Sequence, residues 1–400
     1  MKDKIFCYAT NKREIKKKNF IDLIKFYKSI LPKDIKFYIL DLSKFTSDRT
    51  KFNYDKKINN IKYTYLNKFS DLKKIFSNKK VLLAGMDSID FKSLKIQFFL
   101  NFFNIKRIFI SDLGYIPTEM DQKNYSFDQK TRNFYNIKLP YYILRILCLF
   151  HLVKNIDFFF EASQSRIDQI NQSISKKIDS FLNLNISFYK KIFRINSKIY
   201  DDNKKIFQKR KFIVYCDSGF DHPDKIKREG KVISKDREIY YSYLYKFLKD
   251  LGTLYNKKVL FCKHPKNIYP KNGNYNLIKK NFEIIESQSD KYLIDAEIAV
   301  FHVSTLISKA IYFKKKIILI HSSLVGKYLN NRSMNWIKKT NIYNVELAKN
   351  YTLDKSKLEK HFIENLKNLK KFNDYDVVSN FKLSRSTQIK KVLIKNYFNM

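Results

Sequence analysis

Short runs of β-branched and aromatic residues alternate along this chain with longer segments in which apolar residues recur at helical spacing. This alternation is typical of parallel sheets covered by helices. The runs predict strands at Lys4–Ala9, Ile35–Asp41, Ile61–Leu66, Lys80–Ala84, Arg107–Ile110, Asp157–Phe160, Lys211–Asp217, Lys258–Cys262, Phe282–Ile285, Glu297–Phe301 and Lys316–Ile320. The predicted fold class is therefore α/β, with two Rossmann-like domains and helices at the C-terminus.

The strand pattern pauses at 183–210, where Asn and Lys are frequent, and restarts at Lys211. A chain of 400 residues exceeds what one core usually organises. We therefore predict domains at 1–200 and 201–345, followed by a helical segment at 346–400. One crossover helix of the first domain is predicted from a stripe of five apolar residues at helical spacing, Phe91, Leu94, Phe98, Phe102 and Phe103.

The chain carries 80 basic and 38 acidic residues, a formal charge of +42. Its lysines are spread over every segment, together with frequent Ile, Asn, Phe and Tyr, as AT-rich coding favours. The charge attracts nucleotides, anionic glycans and anionic lipid head groups without choosing among them. No specific nucleic acid is expected as a partner, although a protein that binds nucleic acid or another anionic polymer remains the non-enzyme alternative.

The cysteines and the N-terminal sequence bear on the compartment. The four cysteines are far apart and show no zinc spacing, so they read as buried residues in a reducing compartment. The first residues have no apolar segment of signal-peptide length. We expect a cytoplasmic protein, and the charge is compatible with peripheral contact at the inner face of an anionic membrane.

Glycine is scarce, with 7 residues in the chain, and none falls into G-x-G-x-x-G or a phosphate-binding loop that ends in Gly-Lys-Ser/Thr. Those motifs use glycine to bring the backbone close to phosphate. Their absence from the sequence disfavours dinucleotide enzymes and loop-type kinases, and no cofactor is expected.

Lys263, His264 and Pro265 directly follow the predicted strand Lys258–Cys262. Ligands of open α/β sheets bind at the carboxyl ends of the strands. A histidine there could protonate a leaving phosphate or bind it as a cation, and Lys263 could neutralise charge beside it. The alternative is a His-Pro turn that only ends the strand.

His302, Val303, Ser304 and Thr305 follow the predicted strand Glu297–Phe301 and precede a helical segment. Ser304 or Thr305 is a natural N-cap, and the amides of a helix start can hold phosphate together with these hydroxyls. Lys309 is predicted one turn into that helix. Pro265 and His302 are predicted to bind the donor phosphate together with Lys263, Ser304 and Thr305. The alternative is capping without a ligand.

The second domain opens with Asp217, Asp221, His222 and Asp224 in a loop after a strand. These side chains could contact the donor or the acceptor, or their carboxylates could bind a divalent ion. A solvated turn is the alternative. Asp217, His222, Asp87 and Lys309 are thus predicted as further residues of the cleft.

The ordered set strand-Lys-His-Pro, then His-x-Ser-Thr opening a helix, then the strand KKIILIH resembles the C-terminal half of bacterial surface-polysaccharide glycosyltransferases of GT-B architecture. It is most similar to sialyltransferase- and polysialyltransferase-like enzymes, over about 211–325. The resemblance implies two Rossmann-like domains facing across a cleft, an acceptor domain first and a nucleotide-sugar-binding domain second. It also implies that His264 acts at the donor phosphate and that Ser304 and Thr305 bind phosphate.

The same families carry an acidic-acidic-Gly motif that supplies the general base for the acceptor hydroxyl. This chain offers Ser111, Asp112, Leu113 and Gly114, with one acidic residue, placed one position further from the glycine. The resemblance implies Asp112 as the base, with Asp87 as the reserve candidate. The alternative is an aspartate that orders a turn.

The resulting hypothesis is a metal-independent transfer of a sugar from a nucleotide-sugar, in one version a sialic-acid-like sugar from a CMP donor. The acceptor is a surface glycan, such as capsule or lipopolysaccharide, or a lipid-linked precursor. The enzyme alternatives are a CDP-polyol phosphotransferase of the teichoic-acid type and a UDP-sugar epimerase-like enzyme.

Overall fold

A computed structural model of the chain describes residues 3–10, 17–42, 61–66, 68–85, 94–111, 143, 146–147, 150, 152–153, 155–175, 189–203, 210–218, 220 and 234–398. Two compact units emerge. The described residues of the N-terminal unit come from 3–111, 143–197 and 379–398, and those of the C-terminal unit come from Lys198–Val378.

The N-terminal unit contains a seven-stranded sheet in which every pair of neighbours is parallel. Its strands are β1 (Lys4–Thr10), β2 (Lys36–Asp41), β3 (Ile61–Tyr65), β4 (Lys80–Ala84), β5 (Ile105–Ile110), β6 (Phe158–Glu161) and β7 (Ile192–Arg194). They lie in the order β3-β2-β1-β4-β5-β6-β7. The order reverses between β1 and β4, which is the Rossmann arrangement with one more strand.

The C-terminal unit contains a six-stranded parallel sheet. Its strands are β8 (Phe212–Cys216), β9 (Val259–Cys262), β10 (Glu283–Ile285), β11 (Ala296–Phe301), β12 (Lys316–His321) and β13 (Tyr343–Glu346). The order β10-β9-β8-β11-β12-β13 is the Rossmann order 3-2-1-4-5-6. The inner strands are buried on both faces, which explains why they read as continuous apolar runs.

Helices connect the strands in both units. They are α1 (Lys17–Ile30), α2 (Phe69–Phe76), α3 (Leu94–Leu100), α4 (Gln164–Ser175), α5 (Lys198–Asn203), α6 (Ser234–Tyr255), α7 (Tyr275–Asn281), α8 (Ser289–Asp295), α9 (Leu306–Tyr312), α10 (Lys327–Thr340), α11 (Lys355–Asp376) and α12 (Arg385–Leu393). The long helix α6 buries Tyr240, Leu244 and Phe247 against the C-terminal sheet. Burial of apolar surface stabilises a fold by about 25 cal/mol per Å², so these large buried side chains make α6 a main contributor to the stability of the core.

The last residues of the chain are bound by the buried amide of Asn196. Its Nδ2 donates to the carbonyls of Asn380 (2.8 Å) and Leu383 (2.6 Å), its Oδ1 accepts from the Ser379 amide (2.8 Å), and its backbone N–H donates to Gln388 Oε1 (2.7 Å). These bonds explain why α12 belongs to the N-terminal unit, while α11 belongs to the C-terminal unit. The division at 200/201 and 345/346 stays a prediction of domain organisation.

The structure corrects the stripe predicted for the crossover helix. Phe98 and Phe102 are exposed, 47% and 71%, and contact each other edge to face, whereas Ile96 and Leu100 of α3 are buried. Phe98 lies in α3 and Phe102 lies in the turn that follows it. Of the other predicted positions, Phe103 is partly buried, and the side chains of Phe91 and Leu94 lie outside the described residues. Strands β7 and β13 were not predicted.

The described cysteines, Cys7, Cys216 and Cys262, are buried, as predicted, and Cys148 lies outside the described residues. Burial raises the pKa of Cys7 well above its ordinary value. Within the residues that the structure describes, no helix is both long enough and apolar enough to cross a bilayer.

Candidate functional site

Three loops with candidate residues leave neighbouring strands of the C-terminal sheet. The loop after β8 begins with Asp217, the loop after β9 begins with Lys263 and His264, and the loop after β11 begins with His302. Because β9, β8 and β11 are adjacent and parallel, these loops start at one edge of the sheet. The sheet order reverses between β8 and β11, and open α/β sheets bind ligands outside such a reversal.

The His264 loop is a tight turn held by hydrogen bonds at both ends. The His264 amide donates to Tyr269 Oη (2.7 Å), and the Asn267 amide donates to the His264 carbonyl (3.1 Å). The Lys266 amide donates to His264 Nδ1 (3.2 Å). Since Nδ1 accepts this bond, the neutral imidazole carries its proton on Nε2. The loop therefore presents a histidine whose Nε2–H can donate a hydrogen bond to a ligand.

Lys263 stands at the start of the same loop. Its Nζ lies 2.8 Å from Glu286 Oε1 and 4.9 Å from the centre of the Tyr269 ring. Glu286 is largely exposed and follows β10, so this ion pair is solvent-screened. An anionic ligand could displace Glu286 at little cost.

Asp217 is buried at 5% exposure, and both of its carboxylate oxygens accept hydrogen bonds from side chains. Tyr215 Oη donates to Oδ1 (3.0 Å), and Tyr269 Oη (2.5 Å) and Asn267 Nδ2 (3.2 Å) donate to Oδ2. Burial, and then the nearby Asp217 charge, raise the pKa of Tyr269 far above its ordinary value. The cleft role predicted for Asp217 stays a prediction, but its observed contacts are with protein side chains.

His302 lies below the surface of this edge. It is 1% exposed, and its ring lies 5.7 Å from the ring of Tyr240, whose hydroxyl is 3.1 Å from Tyr215 Oη. Ser333 of α10 donates to the His302 carbonyl (2.8 Å). In this conformation the imidazole packs inside the unit and is not presented to solvent.

The residues after His302 are tied to the loop after β8. Ser218 Oγ donates to the Val303 carbonyl (2.8 Å) and accepts from the Val303 amide (2.9 Å). Ser304 Oγ accepts from the Leu306 amide (3.1 Å), so Ser304 fulfils the predicted capping role at the start of α9. Thr305 is exposed at the N-cap position, and its side chain makes no capping bond. Because α9 has seven residues, its macrodipole is modest and the hydroxyls matter more.

Lys309 is one turn into α9, as predicted. Its Nζ lies 3.3 Å from Asp290 Oδ2 at the start of α8, and its side chain is 12% exposed. Pro265 is exposed beside His264. The structure thus brings Lys263, His264 and Pro265 to the same sheet edge as the His302–Thr305 segment. The predicted Asp112, Asp87 and His222 lie outside the described residues.

Sequence reasoning missed the residues that support this site, above all Tyr269 and Asn267. Both lie in the segment KNIYP, in which apolar residues do not recur at strand or helix spacing. One sequence signal could have revealed them: Asn267 and Tyr269 follow His264 by three and five residues, and polar side chains so close to a turn can hydrogen-bond its backbone.

The N-terminal sheet has a buried carboxylate that was also missed. Glu161 ends β6 and is 0% exposed, and its Oε1 accepts from the amides of Ala162 (2.8 Å) and Ser163 (3.0 Å). Its Oε2 lies 3.4 Å from Arg166 Nε, and Arg166 Nη1 lies 3.4 Å from Ser111 Oγ. Burial raises the pKa of Glu161 despite these partners.

A divalent ion is one predicted ligand of the aspartates at the start of the second domain. Across the described ranges, no group of three His, Cys, Asp or Glu side chains is placed to hold a metal ion.

Comparisons with known proteins bear on the fold. No protein-family model matches this chain, and no curated protein matches it. Solved structures match nearly its full length. Phytolacca americana UGT2, complexed with UDP-2fluoro-glucose and pterostilbene, is 9% identical with a TM-score of 0.50, and the match covers 99% of this chain and 100% of that one.

Two further structures match with lower TM-scores. The wall teichoic acid polymerase TagF is 12% identical, with 99% of this chain and 89% of that chain covered and a TM-score of 0.49. UDP-GlcNAc 2-epimerase from Neisseria meningitidis, bound to UDP-GlcNAc, is 13% identical, with 100% of both chains covered and a TM-score of 0.41. The likeness to UGT2 extends to the fold, and with the two parallel sheets it confirms the predicted α/β class of two Rossmann-like domains.

Proposed function

We propose that this chain is a nucleotide-sugar-dependent glycosyltransferase of GT-B type. The observation that carries the proposal is the convergence of Lys263, His264, Ser304 and Thr305 at the carboxyl edge of one Rossmann sheet, on both sides of its reversal point. Phosphate ligands favour this place in open α/β sheets. The proposal assigns the donor to the C-terminal unit.

In the proposed mechanism, the donor phosphate lies beside the His264 loop. The Nε2–H of His264 donates a hydrogen bond to the phosphate oxygen that leaves the sugar, and a donor placed in this way contributes about 10²–10³-fold to the rate. Lys263 exchanges its exposed partner Glu286 for the phosphate and stabilises the developing charge. Ser304 and Thr305 supply hydroxyl donors from the neighbouring loop.

The acceptor proton requires a base, and we propose Asp112 for this role, with Asp87 in reserve. This assignment rests on the resemblance to enzymes with an acidic-acidic-Gly motif. His222 and Lys309 are proposed as further ligand contacts, and Pro265 and His302 as members of the donor-phosphate site. The reaction is proposed to need no metal, because the histidine and lysine carry the charge stabilisation.

The donor and acceptor classes extend the proposal. UGT2 was solved in complex with UDP-2fluoro-glucose and pterostilbene, which supports the proposal of a sugar nucleotide and a second ligand here. The resemblance to sialyltransferase-like enzymes adds a CMP-linked, sialic-acid-like sugar to the donors to be tested. We propose a surface glycan or its lipid-linked precursor as acceptor, used in the cytoplasm at the inner face of the membrane.

The direct test is isothermal titration of the purified chain with UDP, CDP, CMP and GDP and their sugar conjugates at moderate salt. One nucleotide should bind, and His264→Ala should weaken it at least tenfold. His361→Ala is the matched control, because His361 belongs to α11 of the same unit and bonds the Asn341 carbonyl. The proposal fails if no nucleotide binds, or if the two variants bind equally.

Product analysis then separates the enzyme classes. A transferase gives an acceptor heavier by one sugar and needs that acceptor. A polyol phosphotransferase adds phosphate mass as well, and an epimerase converts the donor alone. A binder of anionic polymers loses affinity steeply with salt and is insensitive to His264→Ala.

A further inference from the structure

We propose that Asp217 and Tyr269 are positioning residues that fix the backbone of His264 in its working orientation. This inference rests on the proposed function, because it assigns the device that holds the proposed catalytic histidine. It also predicts a property of the protein without substrate, which can be measured separately.

The Tyr269 hydroxyl makes two hydrogen bonds at once. Tyr269 Oη donates its proton to Asp217 Oδ2 (2.5 Å) and accepts the backbone N–H of His264 (2.7 Å). A phenol has one proton to give, and an ionised carboxylate can only accept. The direction of both bonds is therefore set, and the hydroxyl connects the carboxylate to the histidine amide.

The Asp217 carboxylate belongs to a residue with a fixed backbone. The Asp217 amide donates to the Cys262 carbonyl (3.0 Å), so its backbone is paired with the end of β9. Tyr215, within β8, donates to Oδ1, the oxygen that the loop does not use. A residue whose backbone is paired with the neighbouring strand is a fixed reference point for the loop that binds it.

Both ends of the His264 loop are connected to the Asp217 carboxylate. Asn267 Nδ2 donates to the same oxygen, Oδ2, at 3.2 Å, while its amide closes the turn onto the His264 carbonyl. Burial and the Asp217 charge raise the pKa of Tyr269, so the phenol keeps the proton that it donates to Oδ2.

The experiment compares Tyr269→Phe with Tyr215→Phe. Each substitution removes one phenol hydroxyl from the same buried carboxylate, but only Tyr269 bonds the His264 amide, so Tyr215→Phe is a matched control. We expect Tyr269→Phe to lower kcat of sugar transfer about tenfold, since small misplacements of a catalytic group have effects of this order. Tyr215→Phe should stay within about twofold of the wild type, because Oδ2 keeps both of its donors.

Two further readouts separate positioning from general damage. In a His264→Ala background, Tyr269→Phe should change kcat less than about twofold, as expected when one residue acts through the other. In the protein without substrate, hydrogen exchange of the 263–269 segment should become about tenfold faster in Tyr269→Phe and stay unchanged in Tyr215→Phe.

Equal exchange in the two tyrosine variants would overturn the inference whatever the reaction is. So would a Tyr269→Phe effect on kcat that persists undiminished in the His264→Ala background. Failure of the proposed function has a different signature, because there His264→Ala itself leaves nucleotide binding and transfer unchanged.

Discussion

Two buried carboxylates stand at the carboxyl edges of the two sheets, and they are held in different ways. Glu161 is bound by the amides of the two residues that follow it and by Arg166 in the next helical turn. Asp217 is bound by Tyr215 of its own strand and by Asn267 and Tyr269, about fifty residues further along the chain.

The sequence distance between partners indicates what each carboxylate does. Glu161 orders the start of its own helix, α4, so its contribution is local and structural. Asp217 joins the end of β8 to the loop after β9, so it couples two parts of the candidate site. Burial alone does not distinguish the two roles, since both groups are almost completely inaccessible.

The largest expected effect is on folding, from Glu161→Ala. Two amides lose their acceptor and Arg166 loses its counterion, so we expect the free energy of unfolding to fall by about 3 kcal/mol. Urea unfolding measures it. Glu161→Gln, which keeps an oxygen for the amides, should cost less than half as much, and nucleotide affinity should be unchanged in both variants. A loss below about 1 kcal/mol for Glu161→Ala would contradict the structural role.

Asp217→Ala should cost less stability and more function. We expect a loss of about 2 kcal/mol from the donors left unpaired, with nucleotide affinity at least tenfold weaker because the His264 loop is released. Titration calorimetry and urea unfolding together measure this. If Asp217→Ala lowered stability but left the affinity at the wild-type value, Asp217 would be a structural residue like Glu161.

Ser218→Ala probes a smaller tie between loops. Ser218 Oγ makes two bonds to Val303, and their loss should cost about 1 kcal/mol in urea unfolding. The control is Ser356→Ala, because Ser356 bonds Asp354 at an exposed helix start. Equal, negligible effects of the two substitutions would show that the Ser218 bridge adds nothing to stability.

The smallest expected effect is a dependence of the free energy of unfolding on pH. The pKa of Glu161 is raised in the folded chain, so the folded state binds the proton more tightly than the unfolded state. The resulting stabilisation is complete below the unfolded pKa of about 4.3 and is lost as pH rises through the folded pKa. The stability of the wild type relative to Glu161→Gln should therefore decline with rising pH in that window. A difference independent of pH, or one that increases, would contradict the raised pKa.

Much of the fold could be predicted from the sequence because buried parallel strands are written as apolar runs, such as FIVYC in β8 and VLFC in β9. The strands β7 and β13 escaped prediction because they are three and four residues long and carry polar positions. The stripe predicted around α3 was wrong at Phe98, in the helix, and at Phe102, just after it, because both are apolar and yet exposed.

The candidate site was predictable as far as strand ends reveal it. Lys263, His264 and Ser304 follow strands, and the order of the sheet brings those strands together. The bonds from Tyr269 and Asn267 to Asp217 form because the loop after β9 packs against the end of β8. That loop has no regular spacing of apolar residues, so its local sequence does not reveal how it packs.

The most direct test of the proposed donor site is hydrogen exchange of the wild-type chain with and without UDP, and separately with CMP. A nucleotide that binds beside His264 should slow exchange in 263–269 and 302–306 and leave α11 unchanged, because protection follows the groups that a ligand orders. Protection confined to other segments, or none with either nucleotide, would contradict a phosphate site at this edge of the sheet.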